Sequence, residues 1–159
     1  MSDVVVKVIP ADPRHIPQQE THQTALNLLT RLAPGGEYPA ARIHRNLQYV
    51  DAGEYEEGAT CPRCARLLHF DWSAEHEAEM DWFREIVHQT EASAEGAQTK
   101  MPCCGAEALF EEVQFENSGF AMFELLISNP DIPYPLPPAS IQQLESVLGC
   151  SLKQVWARY

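Results

Sequence analysis

Four of the five cysteines fall in two short turns, Cys61-Pro62-Arg63-Cys64 and Pro102-Cys103-Cys104-Gly105, separated by about 38 residues. In a reducing compartment, clustered thiols are more often metal ligands or catalytic groups than disulfides. A Cys-x-x-Cys turn puts two sulfurs on one side of an ion, and Pro62 pre-sets the bend. In the second turn Gly105 permits the positive φ that lets a backbone pass under the ion. Zinc takes four soft or borderline ligands in a tetrahedron, and a structural site closes all four positions with protein. Cys61, Cys64, Cys103 and Cys104 are therefore the expected ligands of one structural Zn2+. Adjacent cysteines share an ion only in a tight geometry, so Cys103 is the weakest member. His69, His76 and the remoter His88 stand as alternatives for the fourth place.

A redox use of Cys61 and Cys64 is the competing reading. A reactive Cys-x-x-Cys opens a helix, whose positive end lowers a thiol pKa. Here Arg66–Asp71, RLLHFD, has the pattern of a short strand, and the second cysteine pair favours metal. The two turns resemble those of the zinc-ribbon family, written CPxCG, over roughly residues 56–112. Ala65 stands where that family has glycine, and Met101 stands where a second Cys-x-x-Cys would begin. The resemblance implies a zinc-holding module. The series CPxC, PCCG and LExxLGCxLxxVWxxY also resembles a small bacterial protein type. That resemblance implies zinc and fold, and no activity comes with it.

Charge divides the chain in the same place as the cysteines. Residues 51–131 hold 18 of the 23 acidic residues and only Arg63, Arg66, Arg84 and Lys100, a net −14. The two flanks together carry +2, and the whole chain −12. Such a balance argues against direct contact with nucleic-acid phosphates or anionic membranes. It suits a basic protein partner. Glu75, Glu79, Asp81 and Glu85, on the helix that follows the first cysteine turn, are the expected partner-binding residues. A solvated helix face is the plainer account of them and the favoured one, as for most charge runs.

The flanks read strand–helix–strand on each side. Residues 3–10 alternate as a strand. Ala25, Leu28, Leu29 and Leu32 mark a helix over 18–33, stopped by Pro34-Gly35-Gly36. Residues 42–50 read as a second strand with Ile43, Arg45, Leu47 and Tyr49 on one side. In the acidic segment Ser73 is the expected N-cap of a helix that turns Ala78, Trp82, Phe83, Ile86 and Val87 inward. Residues 107–116 read as a strand, and 120–128 as a central one. A short helix over 140–148 ends at Gly149, and 151–159 form a final strand. The expected class is α+β: a ferredoxin-like βαβ/βαβ layer from 1–50 and 120–159, with an acidic zinc-ribbon-like insert at 51–119 containing one helix. No internal repeat is visible beyond the shared strand–helix–strand order.

With 159 residues, 45% apolar and 21% charged, the composition is globular. No signal sequence or stretch able to span a bilayer is visible, so a cytoplasmic protein is expected. No HExxH, nucleophile elbow or phosphate-binding glycine loop occurs, so an enzyme is not expected. The functional expectation is a zinc-stabilised interaction protein, for example an immunity or antitoxin-like neutraliser of a basic toxin. A zinc-ribbon accessory factor in transcription or RNA processing and a cysteine redox protein are the alternatives.

Overall fold

Alternating valines carry the chain into β1 (Val4–Pro10), the first element of a computed structural model that describes residues 2–159. There follow α1 (Gln19–Leu32), β2 (Glu37–Val50), β3 (Gly58–Thr60), β4 (Leu67–His69), α2 (Glu77–Gln89) and β5 (Gln98–Lys100). The chain continues through β6 (Glu107–Leu109), β7 (Gln114–Phe115), β8 (Gly119–Ser128), α3 (Pro138–Leu148) and β9 (Leu152–Arg158). The protein is mixed α+β. Its largest sheet runs β2-β8-β1-β9, with every neighbouring pair antiparallel.

One face of that sheet carries α1 and α3. Val6, Val8, Phe123, Leu125, Ile127 and Trp156 from the strands meet Ala25, Leu29, Leu144 and Leu148 from the helices in one core. Phe123, Leu125, Leu29 and Leu144 are wholly buried, and each such side chain contributes about 1.5–3 kcal/mol. The run FAMFELLIS is nearly all apolar because β8 sits between β2 and β1. Its one carboxylate, Glu124, is buried on the other face, 3.3 Å from His44 Nε2 and 3.9 Å from Arg42 Nη1. Gly149 closes α3 in the left-handed conformation at φ 73°, and its N–H bonds the Glu145 carbonyl.

A second core lies within the acidic segment. Leu68, Phe70, Met80, Ile86, Met101, Phe110 and Phe115 pack with Leu47 of β2 and Phe120 of β8. Phe70 and Phe83 stack at 4.3 Å with 6° between their planes. Leu47 and Phe120 thus tie the middle of the chain to the ends of the two strands that flank it.

Four local expectations are corrected. Ile43 does not share a side with Leu47, because the β2–β8 register shifts between Ile43 and Gln48. Three extra residues on β2, an odd number, turn the strand over, leaving Ile43 54% exposed and Leu47 buried. Ser73 makes no capping bond. A 3₁₀ turn over Ala74–His76 precedes α2, and the Ser73 hydroxyl meets His76 Nδ1 at 3.0 Å instead. The inward stripe of α2 runs through Glu79, Met80 and Ile86 with Phe83 half-buried, so Ala78 falls out of phase and is exposed. The expected strand 107–116 is broken by a 3₁₀ turn at Phe110–Glu112. No helix among the described residues is long and apolar enough to cross a membrane.

Candidate metal centre

Each cysteine turn caps a two-stranded hairpin. In the first, Thr60 pairs with Leu67, Ala59 with Leu68 and Gly58 with His69. In the second, Lys100 pairs with Glu107, Thr99 with Ala108 and Gln98 with Leu109. Every position in one hairpin thus has its counterpart 40 residues on in the other. The turns match bond for bond. Cys61 N–H donates to the Arg66 carbonyl at 2.9 Å, and Ala65 N–H to the Cys61 carbonyl at 3.1 Å. Met101 N–H donates to the Ala106 carbonyl at 2.9 Å, and Gly105 N–H to the Met101 carbonyl at 2.9 Å. Ala65 and Gly105 are both left-handed, at φ 61° and 72°.

This internal correspondence escaped the sequence because only Pro62/Pro102 and Cys64/Cys104 are identical across it. It equates Met101 with Cys61, Cys104 with Cys64, and Cys103 with Arg63. Met101 accordingly points into the core, 1% exposed. Cys103, one position inside the turn, supplies the sulfur that Met101 does not.

The four sulfurs converge. All lie within 4.8 Å of one another, with Cys61 Sγ 3.9 Å from Cys104 Sγ and Cys64 Sγ 3.4 Å from Cys103 Sγ. A tetrahedron of sulfurs about 2.3 Å from a zinc ion would have edges of about 3.8 Å. The donor set and its spacing therefore fit a thiophilic metal ion. Arg63 braces the two hairpins: its Nε donates to the Glu107 carbonyl at 3.1 Å, and its Nη2 meets Glu112 Oε2 at 2.8 Å.

The metal-free thiols differ sharply. Burial pushes the Cys61 thiol up, but the N–H groups of Cys64 and Arg63 and the thiols of Cys103 and Cys64 outweigh it and bring it to about 7. The Cys103 thiol is pushed up to about 12 by burial, by its bonds to Cys64 and Cys61, and by the charge on Cys61. One thiolate in such a tetrad suppresses the next. A divalent cation removes that penalty and releases the remaining protons.

Comparison with protein-family models, curated proteins and solved structures gives no match to this chain.

The only group of close metal-ligating side chains among the described residues is these four cysteines. The histidines held as alternatives are occupied elsewhere. His69 lies against the His76 ring at 4.7 Å between centroids, His76 Nδ1 is 3.0 Å from Asp71, and exposed His88 is 3.2 Å from Glu91. Cys150 is half-buried against the helix core.

The expected partner-binding residues do not form one face. Glu75, Asp81 and Glu85 are exposed, with Asp81 3.6 Å from Arg84 and Glu85 accepting from Gln89 at 3.1 Å. Glu79 is withdrawn from that surface. It is buried, and its carboxylate accepts the backbone N–H of His69. A carboxylate on this helix face can thus reach the unpaired edge of β4, which no helical-wheel reading shows. The sequence reading also passed over Trp72, which is 72% exposed with the Arg84 guanidinium 4.8 Å from its ring centroid.

Proposed function

We propose that this chain is a non-enzymatic protein-interaction protein whose middle segment is held by one structural zinc ion and which binds a basic protein partner. An immunity or antitoxin-like neutraliser of a cationic toxin is the concrete form of this reading. The observation that carries it is the closed donor set. Four protein sulfurs within 4.8 Å of one another account for all four positions of a tetrahedral ion and leave none for a substrate or a hydrolytic water. Cys61, Cys64, Cys103 and Cys104 are the proposed ligands. The all-sulfur set favours zinc over harder divalent ions.

The sheet order β2-β8-β1-β9 with two helices on one face supports the ferredoxin-like layout, with the paired hairpins as a zinc-ribbon-like insert. The net −14 of residues 51–131 supports the basic partner, since complementary charge speeds encounter.

The experiment has two parts. Purified protein is assayed for metal, with one zinc per chain expected. It is then used as bait, with basic proteins expected to elute as salt rises. A metal-free protein whose Cys61 alkylates rapidly would instead support redox use. Binding indifferent to salt would remove the acidic-surface reading. The paired hairpins also favour a second reading, a zinc-ribbon accessory factor docking on a polymerase. A low-salt gel shift with RNA and DNA tests whether the chain touches nucleic acid itself.

A further inference from the structure

Trp72 lines two depressions. The smaller it shares with Ser73, Glu77 and Arg84. There the Arg84 guanidinium lies over its ring at 4.8 Å, which shows that this indole accepts a planar cation. The larger is a groove of about 880 Å³, walled by Phe70, Met80 and Phe83 and rimmed by Glu54, Glu57 and Asp71. Among the described residues no lysine or arginine lines it, and His69 is its one basic side chain. Glu54 is 3.6 Å from Arg158, and Asp71 is engaged by His76. Glu57 is exposed and in no ion pair among the described residues.

Glu56, on the groove's inner wall, adds a buried carboxylate to the acidic rim. It is 5% exposed and accepts bonds of 3.3 Å from the N–H groups of Gly58 and Asn117, with Ser118 as a further donor. Among the described residues no cation lies within ion-pair distance of it, and Lys153 is the nearby positive charge that feels it. Burial pushes its carboxyl above the ordinary carboxylate value, so further positive charge in the groove would favour its ionised form. Glu57 also lines a neighbouring cleft of about 420 Å³ with Tyr55, Tyr134 and Glu116. Aromatic walls with carboxylate rims therefore continue from one depression to the next.

We propose that this groove binds an arginine side chain of a basic protein segment, the guanidinium stacking on Trp72 and pairing with Glu57. The proposal rests on the basic-partner reading above and locates its docking face away from the exposed carboxylates of α2. Arginine is favoured over lysine because a planar, weakly hydrated guanidinium stacks on indole and forks onto carboxylate, whereas an ammonium is a compact, strongly hydrated charge.

The test titrates the zinc-loaded protein into fluorescein-labelled octa-arginine or octa-lysine in about 20 mM salt and follows anisotropy. Octa-arginine is expected to bind several-fold more tightly than octa-lysine. Trp72→Ala is expected to weaken octa-arginine about tenfold, and Glu57→Gln about threefold. Trp72→Phe should recover part of the loss. The triple variant Glu75→Gln, Asp81→Asn, Glu85→Gln should stay within about twofold of the parent. All altered residues are exposed or half-exposed, and thermal melts confirm that each variant is folded.

Equal affinity for the two peptides overturns the guanidinium site. Loss of binding in the triple variant with Trp72→Ala unchanged overturns the groove and moves the basic partner to α2. No binding of either peptide by the parent protein overturns the groove alone, and the basic-partner reading then stands or falls on the salt-dependent capture experiment.

Discussion

Met101 holds, in the second hairpin, the backbone position that Cys61 holds in the first. Each donates its N–H to the carbonyl five residues on, and each accepts from the residue four on. Cys61 turns its sulfur toward the other cysteines, whereas Met101 is sealed in the core with Phe110 and Ile86. The cysteine cluster is thus a two-fold pattern with one sulfur moved two residues along the chain, to Cys103.

That displacement is reversible by design. The double variant Met101→Cys, Cys103→Ala should rebuild a second Cys-x-x-Cys turn and still take one zinc per chain, read by mass spectrometry. Cobalt substitution should keep the absorption of a tetrahedral all-thiolate site. Losing the buried thioether costs about 1–3 kcal/mol of fold stability, visible as a lower melting temperature. A double variant that binds no metal would show that the two turns are not equivalent.

Ala65 and Gly105 share a left-handed backbone, yet only the glycine adopts it freely. Ala65→Gly should raise stability by about 1 kcal/mol, since a side chain at positive φ is strained. Gly105→Ala should lower it by a similar amount. Nearby atoms do not forbid the added methyl, because the closest is Lys100 Cε at 3.6 Å, so the cost comes from the backbone. Urea melts of the zinc-loaded proteins measure both.

Glu79 is predicted to matter for folding while its neighbours on α2 do not. Glu79→Ala strands the His69 N–H at the edge of β4, a loss of about 1–3 kcal/mol. Glu75→Gln and Glu85→Gln, both exposed, should change stability by less than about 0.5 kcal/mol. Comparable effects at all three sites would contradict the inward placement of Glu79.

The Asp71–His76 pair should make its contribution within a defined pH window. The hydrogen bond from His76, then the Ser73 N–H, hold the Asp71 carboxyl down at about 2, below its ordinary 3.8. The bond to Asp71 raises His76 above its ordinary 6.5. Stability from Asp71 is present above pH 3.8 and is lost as pH falls toward 2. Stability from His76 is present below pH 6.5 and is lost as pH rises through its raised value. The contribution is therefore greatest between about pH 4 and 6.5. NMR titration should show His76 titrating above its ordinary 6.5 in the parent protein, and Asp71→Asn should bring it back down.

Removing the metal should unfold the acidic middle before the flanks. Chelation by a strong zinc ligand is expected to lower the melting temperature and release amide protection first at the two hairpins, followed by hydrogen exchange. The strands β1, β8 and β9 should keep theirs, because their core contains none of the four cysteines.

The order of the flanking elements, the helix α2 and the two cysteine turns were legible in the sequence, because each is local, whereas β3, β5 and the break between β6 and β7 were not. Valine alternation writes β1, the Ala25–Leu29 spacing writes α1, Gly149 ends α3, and a proline between two cysteines writes a turn. Every one of these depends on residues a few places apart. Tertiary contact decided the rest. The register shift that exposes Ile43 depends on β8, about 80 residues away, and the burial of Glu79 depends on the edge of β4. The equivalence of Met101 with Cys61 is a matter of backbone hydrogen bonds, which leave almost no trace in side-chain identity. The meeting of four sulfurs and the acidic groove beside Trp72 exist only once the hairpins are packed, because distance in space between remote residues is set by the core between them.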